Sequence, residues 1–421
     1  MPNGQVPSGV DVRAAMHQRH SLARMGGRDI FSKAYAFDIA DQLRSLGIYP
    51  FFQPFDRSEG TEAILHGQRV LMLGSNNYLG LTVDPRIREA ARRAIALYGT
   101  SMTGSRLMNG TSTLHQEVER KIAAFLGKEA ALIFTTGYQA NLGFISALAN
   151  RNSAVAIDKE DHASIFDGCR FVDGKVVKFR HNDSRHLDKV LSRIPSEQSV
   201  MVIVDGVFSM SGEIADLPGL VDVVRRHGAR LVVDDAHALG VIGEGGRGTA
   251  SHFELEAEVD LVVGTFSKSL ASIGGFVAGN ARVLDYIQHF GRPMLFSASL
   301  PPACLAAAGA ALDVIAREPE RVTRVLAVAR RISEELSRLG FDVGRSETPI
   351  VPIYIRDEHR TLLVWRDLLE EGIFVNPVIA PAVARKDSLL RTSYMATHTD
   401  SMIDRALTAF EKVGRRHGLI P

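Results

Sequence analysis

Cysteine is almost missing. Cys169 and Cys304 are the only two in 421 residues, and with no CxxC pair they exclude a disulfide framework and a thiolate zinc site and favour a reducing compartment. An excess of one charge is missing too. The 49 basic and 48 acidic side chains leave a formal net charge of +1, which argues against a nucleic-acid footprint. No apolar run reaches the ~18 residues that a membrane span needs. Met1–Arg28 is rich in Arg and His but has no apolar core of a secretory signal. Its cations (Arg13, His17, Arg19, His20, Arg24, Arg28) would attract an anionic membrane only weakly, so a solvated arm is the plainer reading. The expected location is the cytoplasm, with at most peripheral contact at the inner face of the membrane. His162, His181, His186 and His237 follow no metal-ligand spacing, and Gly243–Gly248 lacks the Lys-Ser/Thr of a P-loop.

What is present is enough for a large core. Hydrophobic residues make up 45% and charged residues 23%, the balance of a soluble globular protein, and the length suggests two or three domains at ~150 residues each. The pattern divides into an N-terminal arm and helix (residues 1–60), a large domain (61–302) and a small C-terminal domain (303–421). Tyr35–Leu46 has helical spacing, and Ala63–Leu65 with Arg69–Leu73 reads as a hairpin. Asp84 and Pro85 open one helix, and a capping-box pattern at Thr113–Gln116 opens another. From Ala130 strands and helices alternate. The runs Ala131–Phe134, Ala154–Ile157, Lys175–Phe179, Val200–Val204, Leu231–Val233 and Asp260–Gly264 are apolar enough for parallel strands covered on both faces. After Pro302 a long helical stretch, 303–339, precedes strands near Ile350, Ile373 and Leu389, a helix carrying the lone Trp365, and a final helix at Asp400–Arg416. The expected fold is α/β, with a mostly parallel central sheet and a smaller α+β domain.

Ligands of such sheets bind outside the carboxyl ends of the strands. His162, Ser209, His237 and Lys268 each stand just past an expected strand end. Together they suit pyridoxal phosphate. A lysine amine kept partly neutral by a dry pocket can form a Schiff base, and Lys268 is the candidate. A carboxylate must keep the pyridine nitrogen protonated. Asp234 is better placed than Asp235, whose side chain should point to the opposite face. His237 and Ser209 can bond the ring hydroxyl, and His162 can stack on the ring. Gly137, Tyr138, Thr265 and Ser267 can hold the phosphate at a helix N-terminus. An α-carboxylate needs an arginine fork, for which Arg391 is suited.

Five segments, Ser75–Gly80 (SNNYLG), Thr136–Asn141 (TGYQAN), Asp161–Ile165 (DHASI), Asp234–His237 (DDAH) and Thr265–Ser269 (TFSKS), resemble in content and order the α-oxoamine synthase family of fold-type I, aspartate-aminotransferase-like pyridoxal-phosphate enzymes. The resemblance covers residue 45 to the C-terminus. Phe266, Ser267 and Ser269 around the lysine, with Gly104–Thr111, Phe296–Pro302 and Arg391–Thr399, resemble the soluble bacterial branch that condenses L-serine with a long-chain acyl-CoA. Ala380–Ala384 departs from the Pro-Pro-Ala-Thr-Pro-like segment of some relatives. The resemblance implies pyridoxal phosphate as cofactor, L-serine and palmitoyl-CoA as substrates, and a homodimer with shared active sites. It also implies that Ser297 reaches the phosphate of the partner subunit's cofactor and that Asn76, rather than Asn77, joins Arg391 on the serine carboxylate. Family members that use glycine, alanine or a carrier-protein thioester are the alternative.

Overall fold

The computed structural model describes residues 26–421; of the basic N-terminal cluster only Arg28 falls within them. Seven strands form the central sheet: β4 (Ala130–Phe134), β5 (Ser153–Asp158), β6 (Lys175–Phe179), β7 (Ser199–Asp205), β8 (Arg230–Asp234), β9 (Leu261–Thr265) and β10 (Gly275–Gly279). Their order is β4-β10-β9-β8-β7-β5-β6. All neighbours are parallel except β10, which runs antiparallel to both β4 and β9. Sequence reading missed β10. Its first residue, Gly275, is a place of close backbone approach, since a Cβ there would lie 2.5 Å from the backbone of Gly137. Every residue of β5, β9 and β10 is buried, as near-continuous apolarity requires. β6 departs from this: it is one edge of the sheet, opposite β4, with Lys175, Val176 and Lys178 exposed, and lysines there block pairing with another chain.

The hairpin of β1 (Phe55–Ser58), β2 (Glu62–Leu65) and β3 (Gln68–Met72) takes a fourth, parallel strand, β12 (Ile373–Phe374). The expected division at residue 60 therefore falls between two paired strands, and the hairpin shares a sheet with the C-terminal part of the chain. The remaining sheet is antiparallel, β11 (Ile350–Tyr354), β14 (Leu389–Ser393) and β13 (Asn376–Val378) in that order. The stretch expected as one helix at 303–339 is two, Pro302–Arg317 and Glu320–Leu339. Pro319 lies between them, and proline disfavours helical backbone in the residue before it. The early helix is shorter than its pattern, Ile39–Ser45. The capping box exists one residue earlier than expected. Ser112 caps the helix Thr113–Leu126, and His115 returns the bond.

One brace ties the β5 end to the next loop. His181 Nδ1 lies 3.0 Å from Asp158 Oδ1 and its Nε2 lies 2.8 Å from Glu213 Oε2. The ring meets Phe208 edge-on at 4.3 Å. Burial alone would lower its pKa, but hydrogen bonds to Asp158 and Glu213 win and push it up to about 9. A histidine raised this way stabilises the fold fully below about pH 6.5, and that contribution is lost as pH rises through about 9. Urea midpoints should thus fall between pH 6.5 and 9.5 by the equivalent of about 2 kcal/mol, discounted for the ring's residual exposure. His181→Gln should flatten that slope, and a slope unchanged in the variant would place the titration elsewhere.

Candidate active site

The carboxyl ends of β9, β8, β7 and β5 stand side by side and finish in Thr265, Asp234, Asp205 and Asp158. β4 is parallel to β9 through their shared neighbour, so the helix Gly137–Leu148 starts at the same edge. Strand alternation decides what each acid faces. Asp234 accepts from Asn141 Nδ2 at 2.7 Å and from the Ala236 N–H at 3.0 Å. Asp235 turns the other way and accepts from the Thr249 N–H and hydroxyl at 3.0 and 2.6 Å. Burial pushes Asp235 up to about 7; it is a structural group.

His162 starts the helix Ala163–Cys169, and its own N–H donates to Asp205 Oδ2 at 3.0 Å. Its Nδ1 accepts from the Ser164 N–H and lies 2.7 Å from Ser164 Oγ, so the proton of the neutral ring belongs on Nε2. Asn141 Nδ2 donates to Ser164 Oγ as well as to Asp234. The orientation of His162 and the position of the Asp234 carboxylate are thereby linked through one amide. His162 itself is exposed to the cleft.

Recognition groups arrive from the other side. Arg391 on β14 is buried. Its Nε donates to the Ser209 carbonyl at 2.5 Å, Nη1 to Ser393 Oγ at 2.7 Å and Nη2 to the Tyr78 hydroxyl at 3.4 Å. Tyr78, fully buried, lies 2.7 Å from His237 Nδ1 and donates to Asn76 Oδ1 at 3.3 Å. Asn77 is committed elsewhere, to Thr82 at 2.9 Å and to the Met395 sulfur. That leaves Asn76 as the amide on the site side.

Electrostatics follow from burial. Lys268 is brought down to about 8, chiefly by desolvation, with Asp234 and Asp205 opposing and Arg391 assisting. Burial also drives His237 well below the ordinary histidine value, and the cations Lys268 and Arg391 add to this. His162 is open to solvent on one side, yet the protein around its ring still lowers it by desolvation, with Asp234 opposing and Lys268 assisting, while burial raises Asp205 and Asp161.

The phosphate-type cradle lies beside Lys268. The Thr265 hydroxyl donates to the Gly274 carbonyl at 2.9 Å and sits 2.8 Å from Ser267 Oγ. A Cβ on Gly137 would come within 3.0 Å of Thr265. The first N–H groups of a helix have no partner inside it, so those of Gly137 and Tyr138 are donors for an anion. The Tyr138 side chain turns outward to Asp167, which leaves its backbone as the usable part. Ser209 contributes its carbonyl to Arg391. Ser297 Oγ accepts from Gln139 Nε2 of its own chain at 3.2 Å. Sequence reading missed Tyr78, Asn141, Asp205 and Ser393; the first two stand inside the SNNYLG and TGYQAN segments, but nothing local shows what they touch.

A lysine, an acid, two histidines and an anion cradle at one sheet edge fit pyridoxal phosphate in chemistry and in the close approach at Gly137. The family model for aminotransferase class I and II matches residues 68–410. The chain belongs to this family. Its architecture is that of the fold-type I pyridoxal-phosphate transferases, with a large, mostly parallel sheet and a smaller C-terminal domain. Among its class I and II relatives, the serine palmitoyltransferase of Sphingobacterium spiritivorum is 49% identical over 377 residues, 90% of this chain and 94% of the relative. The 8-amino-7-oxononanoate synthase of Thermoanaerobacter pseudethanolicus is 41% identical, over 90% of this chain and 96% of the relative. A solved structure described as SPT with PLP internal aldimine aligns at a TM-score of 0.91 and 38% identity, covering 93% of this chain and all of that one.

An amine-acylating reagent should modify Lys268 with an apparent pKa of about 8, against ~10.4 for ordinary lysines. Asp234→Asn should lower that value further, because the carboxylate holds it up. Peptide mass mapping from pH 6 to 10 reads both, and a Lys268 that titrates with the surface lysines would show that burial does not keep its amine neutral.

Proposed function

We infer that this chain is a pyridoxal-phosphate-dependent acyltransferase that condenses L-serine with a long-chain acyl-CoA, giving 3-oxosphinganine, CoA and CO2, the opening step of sphingolipid synthesis. One observation carries the reading. A lysine amine lowered to about 8 and a buried arginine without a carboxylate partner among the described residues meet at one edge. This suits an α-amino acid that must be held by its carboxylate and deprotonated at Cα. The 49% identical serine palmitoyltransferase supports serine and a long acyl chain over other members of the family. Two subunits sharing their sites, with Ser297 serving the partner's phosphate cradle, complete the proposal, as does a cytoplasmic location.

Pyridoxal phosphate held there supplies a carbonyl for the amino group and an electron sink for the charge left at Cα. The rest of the work belongs to side chains. Gly137 and Tyr138 N–H groups, with the Thr265 and Ser267 hydroxyls, hold the phosphate. Asp234, fixed by Asn141 and the Ala236 N–H, keeps a proton on the pyridine nitrogen. His237, whose Nδ1 lies 2.7 Å from the Tyr78 hydroxyl, and Ser209 offer hydrogen bonds to the ring oxygen, and His162 covers the ring. Arg391 and Asn76 take the serine carboxylate and so fix which bond to Cα stands ready to break. Lys268 Nζ, neutral above about pH 8, takes the Cα proton and returns one after carbon dioxide has left.

Incubation with palmitoyl-CoA and serine, glycine or alanine in turn, followed by thiol release and product mass, tests the reading. Serine should give the 18-carbon amino ketone fastest. Preference for alanine, or for a carrier-protein thioester, would move the chain toward the chemistry of its 8-amino-7-oxononanoate synthase relatives. Lys268→Ala should abolish condensation. Asp234→Asn should slow it on the order of 10³-fold, about 4 kcal/mol of barrier. Arg391→Ala should chiefly raise the KM for serine.

A further inference from the structure

A cavity of about 870 Å³ lies between the helix Ile39–Ser45, the hairpin and β12–β13, within the ~300–1,000 Å³ of small-molecule sites. Its walls are aromatic: Phe37, Tyr49, Phe51, Phe52, Phe55 and Phe374 all line it. Among the described residues no charged side chain does so. At its mouth Phe52 is 95% exposed with φ of 54°, a left-handed backbone that bulky residues rarely adopt. Phe37 and Phe55 are exposed beside it. A soluble surface seldom leaves so many aromatics open around one depression.

The inner end reaches the site. Gly74, Ser75 and Asn77 form part of the wall, and Asn76, between them, points instead to the Tyr78 hydroxyl. Asn376 also lines the cavity and is anchored by donating to the Gly74 carbonyl at 2.7 Å. It is the register partner of Arg391 across β13 and β14. Side chains directly opposite on paired strands share one face, so the cavity ends beside the carboxylate fork.

We propose that this groove holds the hydrocarbon tail of the acyl donor, with its thioester end toward Arg391 and Lys268 and its far end toward Phe52. The assignment rests on the condensation proposed above. The missing charges decide which part of the donor enters: a nucleotide or diphosphate would find no cation there, whereas a methylene chain needs none. They also disfavour the chain's own N-terminal arm, whose arginines and histidines would find no anion. A cleft of about 1,070 Å³ beyond Ser209 is lined, by contrast, by the cations Lys159, Arg345, Arg356 and Lys386 and by the acids Glu160, Asp161, Glu213, Asp342 and Asp387.

Ala40 is half-buried in the groove and Ser58 lines it nearer the surface, so Ala40→Trp and Ser58→Trp fill it at two depths. The readout is the ratio of KM for palmitoyl-CoA to that for octanoyl-CoA with serine, which cancels any general loss of fold. Each methylene pushed back into water costs about fourfold in affinity, so displacing three should raise the ratio about 60-fold in Ala40→Trp. A pyrene-labelled hexadecanoyl chain should bind the wild-type protein saturably, and Ala40→Trp should bind it correspondingly more weakly. A wild-type enzyme that condenses serine with palmitoyl-CoA while both variants keep its ratio would overturn the groove and leave the condensation standing. Binding of the labelled chain that is lost in Ala40→Trp, in a protein that makes no product from serine, would keep the groove and overturn the condensation. No binding of the labelled chain, in a dimer that shields Ala40 from solvent, would assign the groove to a second copy of the chain and overturn the proposal.

Discussion

A buried guanidinium that meets no carboxylate among the described residues sets the terms for the whole site. Isolating a cation from water costs several kcal/mol unless a counter-charge or hydrogen bonds replace its hydration. Among the described residues Arg391 has only neutral acceptors: a main-chain carbonyl, a serine and, at longer range, a tyrosine. Those bonds orient the fork without neutralising it. An anion that completes the set gains the interaction that the fold leaves open, and a planar carboxylate matches the fork best. The same cation then acts at a distance. It helps lower Lys268 and His237, so the group that selects a carboxylate also favours a neutral amine for the chemistry.

The opposing carboxylates keep this from going too far. Burial is the largest influence on Lys268, yet Asp234 and Asp205 pull against it, and the amine settles near 8 instead of becoming permanently neutral. Asp205 gains its place from strand register, opposite Asp234 across β7 and β8. One of its oxygens is occupied by the His162 N–H. The acid that moderates the lysine therefore also fixes the start of the segment carrying His162. Such double use of a buried acid is economical for a dry site, where each further unpaired charge would be costly.

Much of this could be read from residues alone, for a specific reason. Parallel strands announce themselves as short apolar runs, and the residues just past the end of each run must lie at one edge of the sheet. Lys268, His237 and His162 were therefore placed together without a structure. Strand alternation likewise separated Asp234 from Asp235, and Thr249 is the partner that makes the separation physical. The resemblance to the α-oxoamine synthases names Asn76 over Asn77, and Asn77 is engaged with Thr82. Periodicity could not reveal pairings between distant segments. Tyr78 reaches His237 across 159 positions, and β12 joins the hairpin from the far end of the chain, Ile373 opposite Leu71, a contact set by packing with no local pattern of its own. Glycine-rich β10 carried too little side-chain signal to be seen as a strand.

Chemistry and recognition are divided between two bodies of structure, and one loop joins them. Lys268, Asp234 and His237 stand on ends of the central sheet, where two-sided burial leaves them little freedom. Arg391 and Asn376 stand on the smaller antiparallel sheet. The loop after β7 touches both: His181 holds Glu213 from the large domain, while the Gly212 carbonyl accepts from Ser346 and Thr348 of the C-terminal part at 3.2 and 3.1 Å. Gly212 has φ of 71°, and a Cβ there would sit 2.5 Å from the Ile350 carbonyl, so the loop tolerates no side chain at that point. Earlier in the same loop, the Ser209 carbonyl receives Arg391 Nε. The position of the carboxylate fork relative to Lys268 is therefore set by one braced loop rather than by either sheet alone. A family that keeps its lysine chemistry while changing the acid it accepts has, in this arrangement, a place to change recognition without disturbing the strand ends.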